Sequence, residues 1–247
     1  MNINLNTEPN ISSTRKCYKD VFHAFMVKGA EFDGYFDIPF IPAQSLDDVQ
    51  IKRLISYRQA NNHLYEFGDI VHFYLDDYKF DGLKGMWASL TNQISFKRGF
   101  NLEKIQNATA IIAPDFSLYL DMPRCMQIWN VYRSRAIGYY LSTLGYKIIP
   151  NVRWTDVESY KFCFDGIKKN QIVAVGTLGC SKGKYDKQLL LNGFIEMIKR
   201  LNPSAVILYG PVIKELDTLI KKFHLNTIHF ESETQAYFGG HVYGDEK

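Results

Sequence analysis

The residues best suited to chemistry in this chain stand where apolar runs stop. Ile111-Ile112-Ala113 breaks at Pro114, and Asp115, Ser117, Asp121 and Arg124 follow within one short stretch. A carboxylate placed like Asp115 can hold a substrate hydroxyl, coordinate a cation or act as a general acid or base; it can equally cap its own loop or the helix that follows. Arg124 falls at the start of an expected helix, the end that disfavours a cation, and so calls for an external anion or an internal carboxylate partner. Three later apolar runs end in the same manner, at Asn151-Val152-Arg153-Trp154, at Thr177-Leu178-Gly179 and at Tyr209-Gly210. A guanidinium takes phosphate or carboxylate through paired N–H groups and an indole offers a flat face to a base or sugar, so Arg153 and Trp154 together suit a nucleotide. The alternative has Trp154 packing under its loop and Arg153 pairing with Asp156 or Glu158. Tyr209 is the candidate proton or hydrogen-bond donor beside Asp115, while Ser117, Asp121, Arg124, Asn151, Thr177 and Gly179 are candidate ligand contacts.

Other groups carry weaker signals. Gly176-Thr177-Leu178-Gly179-Cys180-Ser181-Lys182-Gly183-Lys184 has the composition of a phosphate loop, but only three residues separate Gly179 from Gly183 and Tyr185 follows the lysine, so it is not a Walker motif. It reads as an anion-binding backbone or as a plain flexible loop. Cys180 is a nucleophile only if a base lies close to it. Asp76-Asp77 closes an apolar run, yet adjacent acids on a strand point to opposite faces, which favours a solvated turn. His229 and Glu231 alternate to one strand face. Gln127 and Asn130 share a helix face near Arg133 and Arg135, as surface helices commonly arrange for solubility.

Composition narrows the classes. The 247 residues are 46% hydrophobic and 15% aromatic, enough for a sizeable core, with a net charge of +3 that does not announce a nucleic-acid protein. Four scattered cysteines and six scattered histidines form no Cys-x-x-Cys or His-Glu-x-x-His motif, so no metal site is indicated and the cofactor is unknown. The absence of a long apolar run and of a signal-like start leads to the expectation of a cytoplasmic protein without a membrane partner.

The elements that must position these groups alternate. Residues 1–15, rich in Asn, Ser and Thr, read as a flexible tail, and 16–247 as a single α/β domain. Residues 34–42, with two prolines, suit an edge strand or an extended segment, and 46–57 a helix capped by Ser45. Strands are expected over 69–75, 109–113, 146–152, 172–175, 205–208 and 227–230; helices over 125–144, 187–201 and 212–223, with a short one capped by Thr155 and Glu158. Alternation of this kind favours a mostly parallel sheet with crossover helices, an incomplete or irregular (β/α) barrel narrowly ahead of a doubly wound open sheet, with ligands outside the carboxyl ends of the strands.

Four segments carry a family resemblance: Val71-His72-Phe73-Tyr74-Leu75-Asp76-Asp77-Tyr78-Lys79-Phe80, Ala113-Pro114-Asp115-Phe116-Ser117-Leu118-Tyr119, Pro150-Asn151-Val152-Arg153-Trp154, and Ser159-Tyr160-Lys161-Phe162-Cys163-Phe164-Asp165-Gly166. In this order they resemble the DUF4417 family, uncharacterised proteins of bacteria and their phages. The resemblance implies a soluble intracellular protein of a phage or mobile element and assigns no catalytic residue. On the residues themselves the leading expectation is an enzyme-like protein that binds a phosphorylated or nucleotide-like ligand at the carboxyl edge of the sheet. The alternative is a non-catalytic nucleic-acid-binding or protein-interaction factor, motivated by Lys182, Lys184, Lys187, Lys199 and Arg200.

Overall fold

Parallel neighbours need crossover connections, and the chain supplies them from residue 46 onward. In the computed structural model, which describes residues 22–60, 63–94, 99–180 and 183–238, a short antiparallel pair, β1 (Phe32–Asp33) and β2 (Ile38–Pro39), comes first. Strands β3 (Arg53–Ser56), β4 (Asp69–His72), β5 (Ala110–Ile112) and β6 (Ile148–Ile149) then form one parallel sheet; β7 (Ile172–Gly176), β8 (Ala205–Tyr209) and β9 (Thr227–Phe230) form another. A bridge between Asn151 and Ala174 joins the two, the Val152 N–H donating to Ala174 at 2.8 Å and the Ala174 N–H to Pro150 at 2.9 Å. The helices are α1 (Leu46–Val49), α2 (Met86–Asn92), α3 (Arg124–Thr143), α4 (Lys184–Leu201), α5 (Lys214–Lys222) and α6 (Glu233–Phe238). Among the described residues no helix is long and apolar enough to cross a membrane. The expected tail at 1–15, and Ser181 and Lys182 of the Gly-rich loop, lie outside the described residues.

Read across the bridge, the strands run β3 to β9 in chain order with no reversal. That is the order of a (β/α) barrel, whereas a doubly wound sheet reverses at its middle. The sheet is also strongly curled. In a flat sheet β4 and β8 would lie about 19 Å apart at the usual strand spacing, yet the Tyr74 ring just beyond β4 stacks on Tyr209 of β8 with centroids 4.9 Å apart. Among the described residues β3 and β9 are not paired, so the sheet stays open.

Alternation along the strands sorts the core into two faces. Leu54, Ile70, Ala110, Ile112, Ile149, Ile172, Ala174, Ala205, Ile207 and Tyr209 form one concave cluster made of strand residues from nearly every strand. The three alanines keep that interior narrow. On the outer face Val71, Ile111 and Ile148 pack against Ile137 and Leu141 of α3, while Val173, Val175, Val206 and Leu208 pack against Leu190, Phe194 and Met197 of α4 and Leu216 of α5. Burying each such side chain is worth roughly 1.5–3 kcal/mol.

Two expectations are corrected. The helix expected over 46–57 ends at Val49, where Gln50 turns left-handed at φ 41°, and residues 53–56 become β3. The Ser45–Asp48 capping box forms as read, but pairing of Arg53 through Ser56 with Asp69 through His72 overrides the helical spacing of the apolar residues. The short helix after Trp154 is a 3-10 turn, Val157–Lys161, capped by Asp156 rather than by Thr155.

The β3–β4 pairing is clasped at its start. Asp69, almost fully buried, accepts two hydrogen bonds from Arg53 at 2.7 and 2.9 Å and one from the Glu66 N–H at 2.8 Å, and His63 Nε2 lies 2.9 Å away. Burial raises the carboxyl, but these partners outweigh it and hold the pKa at about 2. A depressed carboxylate stabilises the fold above the ordinary carboxylate range and loses that contribution as pH falls toward 2. Asp69→Asn should therefore cost about 2 kcal/mol at pH 7 in urea unfolding, the gap to the parent closing between pH 4 and 2; a gap independent of pH would contradict the charge-assisted clasp.

Candidate functional site

The carboxyl ends of four strands deliver their polar residues to one place. Asp115 follows β5, Asn151 and Arg153 follow β6, Tyr74 follows β4, and Tyr209 ends β8. The Asp115 carboxylate accepts from Asn151 Nδ2 at 2.7 Å on Oδ1 and from Arg153 Nη1 at 2.9 Å on Oδ2. The Tyr74 hydroxyl in turn donates to Asn151 Oδ1 at 3.0 Å. The ring of Tyr74 lies between Tyr209 and the Cα of Gly176, where a Cβ would come within 2.7 Å of it. His72 packs on Tyr209 with centroids 4.5 Å apart, and its Nδ1 accepts from the Tyr74 N–H at 3.2 Å. Burial lowers the His72 pKa to about 3, so the ring is neutral.

Burial sets the electrostatics here. Desolvation raises the Asp115 carboxyl above its ordinary range although Arg153 and Asn151 oppose it. Asp115 in turn holds the Arg153 guanidinium firmly charged. The two differ in access: the Asp115 side chain is 10% exposed and that of Arg153 25%. Among the described residues Arg153 makes one side-chain hydrogen bond, through Nη1, so Nε and Nη2 retain donors.

One face of α3 holds the loop that carries Asp115. Gln127, Asn130 and Ser134 recur at helical spacing, and each donates to a loop carbonyl: Gln127 to Tyr119 at 2.9 Å and Met122 at 3.0 Å, Asn130 to Ser117 at 2.7 Å, Ser134 to Pro114 at 2.8 Å. Gln127 and Asn130 are therefore buried clamps and not solubilising surface residues. Arg135, fully buried one position on, donates to the carbonyls of Asn151 at 2.9 Å, Cys163 at 3.1 Å and Asp165 at 3.1 Å. Burial lowers its pKa to about 10, which leaves it charged at neutral pH.

The remaining sequence candidates are placed as follows. Ser117 is tied to Asp77, its Oγ donating at 2.8 Å, so Asp77 faces the loop after β5 while its neighbour Asp76 is exposed and pairs with Lys79. Asp121 is exposed and away from this network. Arg124 finds the internal carboxylate partner its position calls for, donating to both oxygens of Asp156 at 3.1 Å. Trp154 packs against the first core cluster and over Gly193, where a Cβ would meet its ring at 2.1 Å, and donates to the Leu189 carbonyl at 3.1 Å. Thr177 is fully buried and donates to the Tyr209 carbonyl at 3.2 Å. Gly179 is exposed with φ +75° and open space around it. Cys180 lies near enough to Arg153 to feel its charge, but burial raises the thiol and keeps it protonated. His229 bonds the Gly210 carbonyl at 2.7 Å.

Sequence reasoning passed over Tyr74, read Asp77 as part of a solvated turn, and set Arg135 beside the donors of a surface helix. Tyr74 sits in a continuous apolar run, and only the curl of the sheet reveals that it faces β8. Arg135 had a usable signal: alone among the charged residues of the middle of α3, it follows Ser134 and precedes Ala136-Ile137-Gly138 in a run whose every member is buried.

A family model described as "Domain of unknown function (DUF4417)" matches residues 30–227. The chain is 36% identical over 143 residues to the Gene 1 protein of Mycobacterium phage L5, a match covering 58% of each chain. It is 36% identical over 143 residues to the Gene 1 protein of Mycobacterium phage D29, covering 58% of this chain and 49% of that one. The match thus spans about half the length of these curated relatives, and no solved structure matches the chain. With the family model covering most of its length, including the strand ends that carry Tyr74, Asp115, Asn151, Arg153 and Tyr209, the chain belongs to the DUF4417 family.

Proposed function

We propose that the chain binds a phosphorylated or nucleotide-like anion at the carboxyl edge of its parallel sheet, with Arg153 taking the anion. The observation that carries this reading is the division of labour within one ion pair. Asp115 engages a single N–H of Arg153 and is itself buried, while the Arg153 side chain stays a quarter exposed and keeps donors on Nε and Nη2. A guanidinium fixed by a buried carboxylate on one side is preorganised for a bidentate oxyanion on the other. Both Asp115 oxygens are occupied, so Asp115 acts here as a positioning residue, and Tyr209, buried against Tyr74 and His72, supports the network from behind. The basic residues behind the nucleic-acid alternative do not gather into one patch. Lys184 and Lys187 open α4 and Lys199 and Arg200 close it, about 18–24 Å away at about 1.5 Å per residue. Arg200 is moreover engaged by Glu196 and the Tyr160 carbonyl.

Arg153→Gln should leave the raised Asp115 carboxyl without its cation. A carboxyl raised further favours the fold at low pH and disfavours it as pH climbs. In urea unfolding the variant should match the parent near pH 4 and fall about 3–5 kcal/mol below it at pH 8. A deficit that is constant with pH would show that the pair is not coupled in this way.

Thermal unfolding with inorganic phosphate, sugar phosphates and nucleotides tests the ligand. An anion present at 100 times its dissociation constant adds about 2.7 kcal/mol, a rise of several degrees for a chain of this size. Arg153→Lys, which keeps the charge and removes the fork of donors, should abolish most of the rise produced by inorganic phosphate and sugar phosphates. No rise with any of these anions, or an equal rise in Arg153→Lys, would overturn the proposal.

A further inference from the structure

A second feature of the same sheet edge shares no residue with the Asp115–Arg153 cluster. Beyond the carboxyl ends of β3 and β4 lies a cleft of about 600 Å³, within the range that small-ligand sites occupy. Its lining is basic and aromatic: Arg58, Lys79, Lys84 and Lys104 with Tyr57, Tyr78, Phe80 and Phe100. The single carboxylate in the lining, Asp81, is already ion-paired with Arg133 of α3 and also accepts from the Trp87 N–H at 3.2 Å. Among the described residues neither Arg58 nor Lys84 has a carboxylate partner, and Lys104 lies over the Tyr57 ring at 5.5 Å. Arg58 stands close enough to Lys79 for their like charges to repel. Unpartnered cations crowded into a concavity concentrate positive potential there, which an anionic ligand relieves.

The aromatic part is built in two layers. Tyr57 is sandwiched between Phe73 and Phe100, at 5.2 Å from each, and its hydroxyl accepts from the Asn101 N–H at 2.9 Å, so the floor is rigid. Tyr78, by contrast, is 77% exposed on the rim and makes only a distant contact with the Lys79 ammonium, 5.7 Å from its ring. A large ring held at the mouth of a basic cleft is the arrangement that stacks a nucleobase while cations take its phosphates.

We propose that this cleft is a binding site for a nucleoside polyphosphate, its phosphates held by Arg58, Lys84 and Lys104 and its base stacked on Tyr78. The proposal stands apart from the reading of Arg153, since it names different residues.

The probe is a fluorescent ATP analogue titrated into the full chain, with tripolyphosphate and a single-stranded oligonucleotide as competitors. Measured in the Arg153→Lys background, which removes the first anion site, binding should persist, and it should weaken at least tenfold when Arg58→Ala and Lys84→Ala are added, both exposed positions whose loss leaves the core intact. ATP should outcompete tripolyphosphate in the parent and in Tyr78→Phe, and lose that advantage in Tyr78→Ala. Three results would overturn the proposal: no binding of the analogue, binding insensitive to Arg58 and Lys84, or displacement by the oligonucleotide but not by ATP. Loss of binding in Arg153→Lys alone would reject the cleft while leaving the anion reading of Arg153 standing.

Discussion

The tight curl of the parallel sheet is the constraint from which the rest follows. Seven short strands paired in chain order could lie nearly flat; instead, small residues on the concave face let them roll until the end of β4 meets the end of β8. Ala110, Ala174 and Ala205 leave no room for anything but the neighbouring Ile and Leu side chains, and Gly176 lacks a side chain where the Tyr74 ring must pass. Dispersion and apolar burial favour such a roll because each strand then shields two faces from water. The consequence is that residues distant in strand order, Tyr74, Asn151 and Tyr209, become contacts of one another.

A curled sheet exposes the frayed carbonyls at its strand ends, and buried carbonyls must be satisfied. Helix α3 performs that task. Its inner face is polar where most core-facing helices are apolar, since Gln127, Asn130, Ser134 and Arg135 all donate to carbonyls of the loops that follow β5, β6 and the Val157–Lys161 turn. Net contributions of about 0.5–1.5 kcal/mol per hydrogen bond are modest singly, but together they hold Pro114 through Asn151 in one geometry. Gly138 completes the fit by admitting Ile41 and Ile148 against the helix backbone, where a Cβ would approach Ile41 to 2.5 Å. The Asp115–Arg153 pair thus rests on a helix rather than on a loop alone, which is the condition for a preorganised site.

Much of this was legible in the residues. The strands at 172–175, 205–208 and 227–230 and the helix at 125–144 agree with the structure to within a few residues because periodicity and flanking Gly and Pro agree there. The convergence of strand ends at Asp115 and Arg153 follows from the same reading. Local pattern failed where long-range pairing decides. Arg53-Leu54-Ile55-Ser56 carries helical spacing yet becomes a strand because Asp69, sixteen residues later, takes its arginine. Gln127 and Asn130 look like solubilising residues because nothing local distinguishes a polar side chain facing water from one facing an orphan carbonyl.

The partition between the two carboxyl-edge features also follows from burial. An ion pair as enclosed as Asp115 with Arg153 must first satisfy itself, so what it can offer a ligand is only the surplus donors of the guanidinium. Arg58 and Lys84 are under no such obligation; being exposed, they keep their charge at little desolvation cost and act through proximity instead of fixed geometry. On the proposed readings, the enclosed arginine would select the orientation of an oxyanion, and the open basic cleft would raise the local concentration of anions. Asp77 stands between the two features, its carboxylate bound to Ser117 of the β5 loop and its chain neighbour Tyr78 on the rim of the cleft.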